Sequence, residues 1–399
     1  MDFHDLEQIF GVPAEAITDM LSNILGPNAT QEEMEMAIAD IMANFEKMVS
    51  QAYSLKDCLS FLTKEDLIEL MKTLKCNGYS KMRKDELVMH LEHVLAAPEY
   101  MERIYPDLGN GEIEILKQLC IVNTPLISTD IMFSAADLIR YGLCYLDEYG
   151  KHLVMPEEIK QNFLAAQANA ALQVKQKNNV AVYNACHAAV YFYGVYPIAD
   201  LCDRIQETSK QAFTEDTLVA WHAQAALHRE EFFFKNGYII STALYQTPED
   251  VVALQQIQKM KKRFFWPEPA VLEMLAMELW VIDDRLYEPF WDFAPLLMEN
   301  EFGDVMSVSR FVEASIRTGA PFDSLMGFLS ERVFAFESFE QIEAFTQVMQ
   351  NLWDNTPMWE NCGYSLNQLK ALLQKPSAAK KESSGKVVSL AEHRAKKNK

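Results

Sequence analysis

The chain has 399 residues, of which 49% are hydrophobic and 23% charged, so it can bury several cores and is not an intrinsically disordered polymer. Its net charge of −21 is uneven, because residues 375–399 hold eight Lys and Arg against two Glu and the rest carries about −27. No apolar run approaches the ~20 residues of a membrane span, and residues 1–10 lack the features of a signal peptide. We therefore expect a cytoplasmic protein with no membrane partner.

The composition favours helix over sheet, since there are only 14 Gly and 15 Pro among many Ala, Leu, Met and Glu. We predict a mainly α fold, a multi-module helical protein with short β-hairpins in winged-helix-like segments. Six segments are expected in chain order: acidic N-terminal helices (1–54), a helix–loop–helix module (55–97), a degenerate winged helix (100–170), a winged-helix-like module (178–245), a helical C-terminal domain (250–373) and a basic, disordered tail (374–399).

The acidic N-terminal segment predicts two short helices. The second begins at Thr30, with Glu33 three residues later as a capping box. Apolar residues then recur at helical spacing, at Met34, Ile38, Ile41 and Phe45. This apolar face is expected to pack within the protein or, as an alternative, against a partner helix.

Residues 61–96 give the clearest pattern in the chain, two amphipathic helices joined by a basic loop. Thr63 is the expected N-cap of the first helix, and acids follow it in the first turn. Cys76-Asn77-Gly78 should end that helix, with Asn and Gly in left-handed backbone. An extended piece, Tyr79–Lys84, should then lead into a second helix that ends before Pro98.

This module resembles the helical N-terminal subdomain of transcription termination factor Rho and the wider group of SAP-like helix–extended-loop–helix modules. The matching residues run from Leu62 to Leu67 and from Ser80 to Leu87. The resemblance implies that Lys81, Arg83 and Lys84 lie near nucleic-acid phosphates. The flanking cations are Lys64, Lys72 and Lys75. Tyr79 would stack a base or, alternatively, pack between the two helices.

Two later segments have a winged-helix outline. In residues 112–163 we expect helices at 112–119 and 135–141, a hairpin pairing 143–146 with 152–155, and a helix from Pro156. In residues 180–241 we expect helices at 180–193, 198–206 and 215–231, then a hairpin turning at Asn236-Gly237. The third of these helices is acidic, which favours scaffolding or protein contact over reading DNA.

The C-terminal domain is predicted to be helical, with amphipathic segments at 305–334 and 337–353. Cations between residues 259 and 263 are followed by Phe264, Phe265 and Trp266. This pattern indicates a helix whose last turn carries the cations and whose following aromatic residues enter the core. The alternative is a surface on which the aromatic rings stack bases and the cations bind phosphates. The turn-rich residues 354–365, with Tyr191–Val195, resemble a set of Firmicute proteins that often carry a Rho-like module and a terminal SEC-C zinc motif. Lysines replace that motif here, so no metal is expected.

The sequence contains no recognisable catalytic constellation, neither a Gly-rich phosphate loop nor a nucleophile elbow nor an H-E-x-x-H pair. Seven scattered cysteines without a C-x-x-C pair predict reduced thiols; Cys58 and Cys76 with His90 and His93 are a poor zinc set. The acids Glu278, Asp283, Asp284 and Glu288 are expected to form a solvated face and not a cation site, and His187 is expected to be a core histidine. We predict a non-enzymatic protein without cofactors.

Two functions remain open from the sequence. The first is a nucleic-acid-associated protein of regulatory role that contacts DNA or RNA through the helix–loop–helix module. Its candidate contacts are Lys64, Lys72, Lys75, Tyr79, Lys81, Arg83 and Lys84. The alternative is a cytosolic protein–protein interaction adaptor, in which the helical and winged-helix-like segments are docking surfaces for a protein partner.

Overall fold

The structure is a computed structural model that describes nine stretches of the chain: 53–121, 129–147, 152–209, 212–227, 231–260, 265–268, 271–272, 284–298 and 302–374. The chain divides into two compact units. The first unit comprises residues 1–188, 197–239 and 268–281, and the second comprises 189–196, 240–267 and 282–399. The predicted N-terminal helices up to residue 52, the cations 261–263 and the tail from residue 375 lie outside the described residues.

Within the described stretches the chain forms sixteen α-helices, five short strands and five single-turn 3-10 helices. In chain order the helices are α1 (Leu55–Phe61), α2 (Lys64–Thr73), α3 (Lys84–Leu95), α4 (Pro98–Ile104), α5 (Asn110–Ile121), α6 (Thr129–Arg140), α7 (Glu157–Ala168), α8 (Ala170–Tyr193), α9 (Ile198–Ser209), α10 (Glu215–Gln224), α11 (Pro248–Lys259), α12 (Asp284–Trp291), α13 (Val305–Thr318), α14 (Phe322–Arg332), α15 (Phe339–Asn355) and α16 (Leu366–Gln374). The strands are β1 (Tyr145–Leu146), β2 (Leu153–Val154), β3 (Val195–Pro197), β4 (Phe232–Lys235) and β5 (Tyr238–Ser241). The predicted mainly α class with short hairpins is confirmed.

The first unit is built on one continuous apolar core. Buried side chains from α1 to α7 form this core, and they include Leu55, Leu67, Leu91, Leu116 and Phe163. The core therefore draws on residues from both sequence segments, 55–97 and 100–170. Each of these helices buries one face because its apolar residues recur at helical spacing.

The first hairpin forms where its residues were expected to pair. Tyr145 faces Val154 and Leu146 faces Leu153 in antiparallel register. The Asp147 carboxylate lies 2.6 Å from His152 Nδ1, and the Asp147 amide donates to the His152 carbonyl at 2.8 Å. These polar contacts close the hairpin beyond its two short strands.

The winged-helix-like segment differs from its prediction in two helix lengths. α8 begins at Ala170, ten residues earlier than expected, because Asn169 Oδ1 accepts a hydrogen bond from the Ala171 amide and starts the helix. α10 ends at Gln224 and does not continue to residue 231. The chain leaves the helix at Ala225, and the Ala226 amide donates instead to Asp107 Oδ2 at 2.6 Å.

The second hairpin, β4–β5, turns at Asn236 and Gly237 as predicted. Both residues have positive φ, 52° and 79°, which matches the twist of a two-residue hairpin turn. The strands lie in the order β3-β5-β4. The Ile198 amide donates to the Gly237 carbonyl at 2.9 Å and so ties the start of α9 to this turn.

The second unit contains a buried polar group on α13. Tyr191 Oη donates to Glu313 Oε1 at 2.8 Å, and Arg317 Nη1 lies 3.3 Å from the same oxygen. The Arg317 guanidinium also sits 4.1 Å from the centre of the Tyr191 ring. Burial and the Glu313 carboxylate hold the pKa of Tyr191 well above its ordinary value, so the phenol remains a donor.

Aromatic packing and one close backbone approach complete the second unit. Phe290, Phe334 and Phe345 pack with ring centres 5.1 to 5.8 Å apart.

Gly194 has φ of 66°, and a Cβ there would lie 2.5 Å from the Trp359 ring. The ring cannot easily retreat, because Trp359 Nε1 donates to the Tyr191 carbonyl at 2.8 Å.

We expect Gly194→Ala to lower the free energy of unfolding by about 3 kcal/mol, since the substitution adds overpacking to the cost of left-handed backbone. Gly319→Ala is the matched control, because Gly319 has φ of 88° but no atom within 4 Å of the added Cβ. The control should lose only about 1 kcal/mol. Urea unfolding measures both, and equal losses would contradict a role for the Trp359 contact.

Removing one member of the α13 ion pair should cost more than removing both. Glu313→Leu leaves the largely buried Arg317 unpaired and should lower the free energy of unfolding by about 3 kcal/mol or more. The double variant Glu313→Leu/Arg317→Leu should recover most of that loss, because no buried charge then lacks a partner. A double-mutant cycle by urea unfolding tests this, and strictly additive losses would show that the pair is uncoupled.

Candidate nucleic-acid interface

The first helix of the module is capped as its sequence predicts. Thr63 Oγ1 accepts from the Asp66 amide at 3.2 Å, and Asp66 Oδ2 accepts from the Thr63 amide at 3.0 Å. The Thr63 hydroxyl also donates to Asp66 Oδ2 at 2.7 Å, and this bond, together with the one from the Thr63 amide, lowers the pKa of the Asp66 carboxyl. Lys64, the first residue of α2, is exposed beside this acidic turn. Its cation is therefore partly offset by Glu65 and Asp66.

The connecting loop is only partly extended, which corrects the prediction for Tyr79–Lys84. Tyr79–Lys81 form a single 3-10 turn, closed by the Met82 amide donating to the Tyr79 carbonyl at 3.0 Å. Met82 and Arg83 are extended. α3 then begins at Lys84, and the Glu86 carboxylate accepts from the Arg83 amide at 2.7 Å.

Two of the predicted contact cations already have partners within the protein. Lys72 Nζ lies 2.5 Å from Glu69 Oε1, and this hydrogen bond raises the pKa of Lys72. Lys84 Nζ donates to the Ser60 carbonyl at 2.8 Å. Ser60 is in the last turn of α1, where a cation satisfies an otherwise unpaired carbonyl. Both side chains are therefore less available to phosphate than their sequence positions implied.

Lys81 and Arg83 differ from these two. Both side chains are exposed, at the end of the 3-10 turn and at the N-cap of α3 respectively. In the described part of the chain no acidic side chain lies within ion-pair distance of either one. Lys64 is also exposed without such a partner, but Glu65 follows it directly in the chain, whereas neither Lys81 nor Arg83 has an acidic neighbour in the sequence.

Tyr79 has a mainly structural position. Its ring is half-buried and packs against the apolar core of the first unit. This contact favours the expected alternative, packing between the helices, over a ring that stacks a base on its open face. Tyr79 therefore fixes the loop that carries Lys81.

Lys75 ends α2 in left-handed backbone, with φ of 55°. The prediction had placed this conformation at Asn77 and Gly78, and of those two only Gly78 has a positive φ, at 81°. Lys75 lines a cavity of about 150 Å³ together with Arg103 of α4. The sequence reasoning missed Arg103, because only the fold brings α4 beside the end of α2.

Arg103 is an exposed cation held by an aromatic ring. Its guanidinium carbon lies 5.5 Å from the centre of the Tyr100 ring, within the range of a cation–π contact. Burial raises the pKa of the Cys76 thiol, and the positive charge of Arg103 partly offsets this. Arg103 therefore lies near the loop of the module and extends its set of cations.

Burial raises the pKa of six of the seven cysteine thiols, at positions 58, 76, 120, 144, 186 and 202. Burial raises the pKa of Cys58 to about 12 and also raises that of Cys144. Among the residues the structure describes, no group of three or more His, Cys, Asp or Glu side chains is placed to hold a metal ion. Glu278 and Asp283, which belonged to the acidic cluster in the sequence, lie outside the described residues.

Comparison of the chain with models of protein families, with curated proteins and with solved structures gives no match. Among the helices that the structure describes, none has both the length and the apolar character required to cross a bilayer.

Replacing Lys75 by Gly should raise the free energy of unfolding by about 0.5 to 1 kcal/mol, because Gly adopts left-handed backbone without strain. Lys72→Gly removes the same charge from the last turn of α2, where the backbone is helical, and should instead lower the free energy of unfolding by up to about 1 kcal/mol. Urea unfolding of the two variants measures the sign of each change in the free energy of unfolding. A destabilised Lys75→Gly variant would show that other contacts of Lys75 outweigh its backbone strain.

Proposed function

We propose that this protein is a non-enzymatic, nucleic-acid-associated protein that contacts phosphates through the helix–loop–helix module. One observation carries the proposal: Lys81 and Arg83, two residues apart in the chain, are both exposed, and no described carboxylate is in ion-pair distance of them. Their charges are thus available to a phosphate backbone, and neutralising phosphates releases condensed counterions.

The position of Lys81 and Arg83 strengthens the attraction for phosphate beyond what their own charges provide. Arg83 is the N-cap of α3, a helix of 12 residues whose amino end carries a partial positive charge. A guanidinium binds phosphate through two parallel N–H donors, whereas a lysine acts as a point charge. Lys81 and Arg83 therefore offer complementary contacts to adjacent phosphates.

Other cations near Lys81 and Arg83 would attract phosphate to different degrees. Lys64, Lys75 and Arg103 are exposed and would add long-range attraction. Lys72 and Lys84 would add less, since each already has a partner in the fold. Residues 55–97 hold seven Lys and Arg against seven Asp and Glu, so the expected binding is weak and depends strongly on salt.

The resemblance to Rho-N and SAP-like modules supports the same proposal. Two helices, Lys64–Thr73 and Lys84–Leu95, flank the basic loop in the order that the resemblance implies. The contacts involve backbone phosphates and not base edges, so the proposal covers both RNA and DNA.

We also propose that residues 170–241 are a winged-helix-like scaffold and do not bind nucleic acid. The order helix, strand, two helices, two strands and the sheet order β3-β5-β4 support the winged-helix comparison. The third helix, α10, has Glu215 and Asp216 in its first turn and contains no Lys or Arg. Such a helix would repel phosphates in a major groove.

The charge-reversal variant Lys81→Glu/Arg83→Glu should lose salt-dependent binding to a labelled oligonucleotide, measured by fluorescence anisotropy on the full chain. For the unmodified protein, the plot of log affinity against log salt should have a slope of about −2 to −3 on single strands and about −3 to −4 on duplex DNA, as expected for three to four phosphates. Single-stranded RNA, single-stranded DNA and duplex DNA are compared at low ionic strength. Lys84 is left unchanged, because its bond to the Ser60 carbonyl stabilises α1.

Lys175→Glu/Lys177→Glu is the matched control, since both lysines are exposed on α8 and the net charge changes equally. If the control loses as much affinity as the loop variant, binding depends on overall charge and the assignment to the module is wrong. If no oligonucleotide binds the unmodified protein, the nucleic-acid proposal fails and the adaptor alternative takes its place.

A further inference from the structure

The last residue of α1, Phe61, has an aromatic side chain that the fold leaves open to solvent. Its exposed fraction is 47%, the highest among the aromatic side chains that the structure describes in the first unit. The apolar residues on either side of it behave differently, since Leu59 is fully buried and Leu62 packs against the core. The exposed ring of Phe61 therefore costs free energy in water that its neighbours do not.

Cations lie near Phe61 both in the sequence and in the fold. Lys84 Nζ donates to the carbonyl of Ser60, the residue directly before Phe61, at 2.8 Å, so the amino end of α3 lies beside the ring. Arg83 directly precedes Lys84 and is the N-cap of the same helix. Lys64 follows Phe61 by three residues and begins α2. The exposed ring is thus next to the basic loop that carries the proposed phosphate contacts.

Two acidic side chains close to Phe61 in the sequence are hydrogen-bonded elsewhere. Asp57 lies one helical turn before Phe61, but its carboxylate accepts from the hydroxyl of the N-cap at the opposite end of α1, at 2.5 Å. The Asp66 carboxylate accepts from the N-cap of α2 at 2.7 and 3.0 Å. Glu65 is exposed, so it weakens the local attraction for phosphate without removing it.

An exposed aromatic ring beside cations is the arrangement that binds unpaired nucleotides. A base stacks on the face of the ring while the cations neutralise the neighbouring phosphates. Tyr79, the ring that the sequence indicated for this role, is half-buried against the core. Among the residues that the structure describes, no aromatic ring stacks on that of Phe61. Phe61 therefore offers the open ring face that Tyr79 lacks.

We propose that Phe61 stacks on a nucleobase while Lys81 and Arg83 bind phosphates of the same strand, which makes single-stranded RNA or DNA the ligand of the module. This inference rests on the proposed function and narrows its substrate class. A base within a duplex is already stacked between its neighbours, so only an unpaired base can lie on the ring. Every base has a π face, so this contact selects single strands and not a particular sequence.

The test measures the affinity of the full chain for labelled oligo-dT, oligo-U and a DNA duplex of equal length by fluorescence anisotropy at low ionic strength. Phe61→Ala should weaken binding to both single strands about fivefold or more and leave the affinity for the duplex unchanged. An abasic strand, which keeps the phosphates but has no bases, should bind the unmodified protein and Phe61→Ala equally. The slope of log affinity against log salt should not change, because it depends on the number of neutralised phosphates.

Two further substitutions separate stacking from packing. Phe61→Leu keeps an apolar side chain but has no ring, so it should bind single strands as weakly as Phe61→Ala does. Phe61→Tyr keeps the ring and should bind like the unmodified protein. Phe339→Ala is the matched control, because Phe339 is a 75% exposed ring at the start of α15 in the second unit, and it should bind normally. The melting temperature of each variant shows that it is folded.

The outcomes distinguish failure of the stacking contact from failure of the proposed function. If the unmodified protein binds single strands with the expected salt dependence and Phe61→Ala or Phe61→Leu binds them equally well, stacking is wrong and the phosphate contact stands. Stacking is also wrong if Phe61→Ala loses as much affinity for the duplex or the abasic strand as for oligo-dT. If no oligonucleotide binds the unmodified protein, the proposed function fails, and the stacking contact fails with it.

Discussion

The architecture of the first unit depends on one apolar core that short helices share. Helices α1 to α7 have seven to twelve residues each, at or below the length at which an isolated helix is stable in water. They persist because side chains such as Leu55, Leu91 and Phe163 are buried together. Backbone bonds close the same arrangement, since the Glu157 amide donates to the Tyr53 carbonyl at 3.0 Å and the Leu55 amide donates to Glu158 Oε2 at 2.9 Å. The helix–loop–helix module is thus stabilised by α7 as well as by its own two helices.

This shared core decides which charged groups remain available for recognition. Packing α1 beside α3 brings Lys84 to the end of α1, where its ammonium binds the Ser60 carbonyl. The same packing turns Tyr79 towards the core and leaves Lys81 and Arg83 on the outer side of the loop. A basic loop in the sequence therefore contains both structural and solvent-facing cations, and only their three-dimensional partners distinguish them. The net charge of the loop does not distinguish the cations that are bonded within the protein from those that face solvent.

Features set by neighbouring residues were predictable, and features set by distant residues were not. The Thr63–Asp66 capping box and the Asn236–Gly237 turn depend on local backbone geometry, which a few residue types determine. The end of α10 at Gln224 depends on Asp107, a residue more than a hundred positions earlier that accepts from Ala226. The contacts of Lys84 and Arg103 have the same origin, because the Ser60 carbonyl belongs to α1 and the end of α2 approaches α4 only in the folded chain.

The candidate phosphate contact belongs to a chain that is acidic overall. At physiological ionic strength the Debye length is about 8 Å, so exposed charges farther away are largely screened. The cations of the loop, Lys81 and Arg83, then act on a phosphate at short range, while the repulsion from acidic residues elsewhere in the chain is weakened. Salt also reduces the gain from releasing counterions at each phosphate contact, and this effect is the larger one for a contact made by exposed cations. The affinity should therefore still be highest at low ionic strength, although the chain as a whole carries the same sign of charge as the nucleic acid.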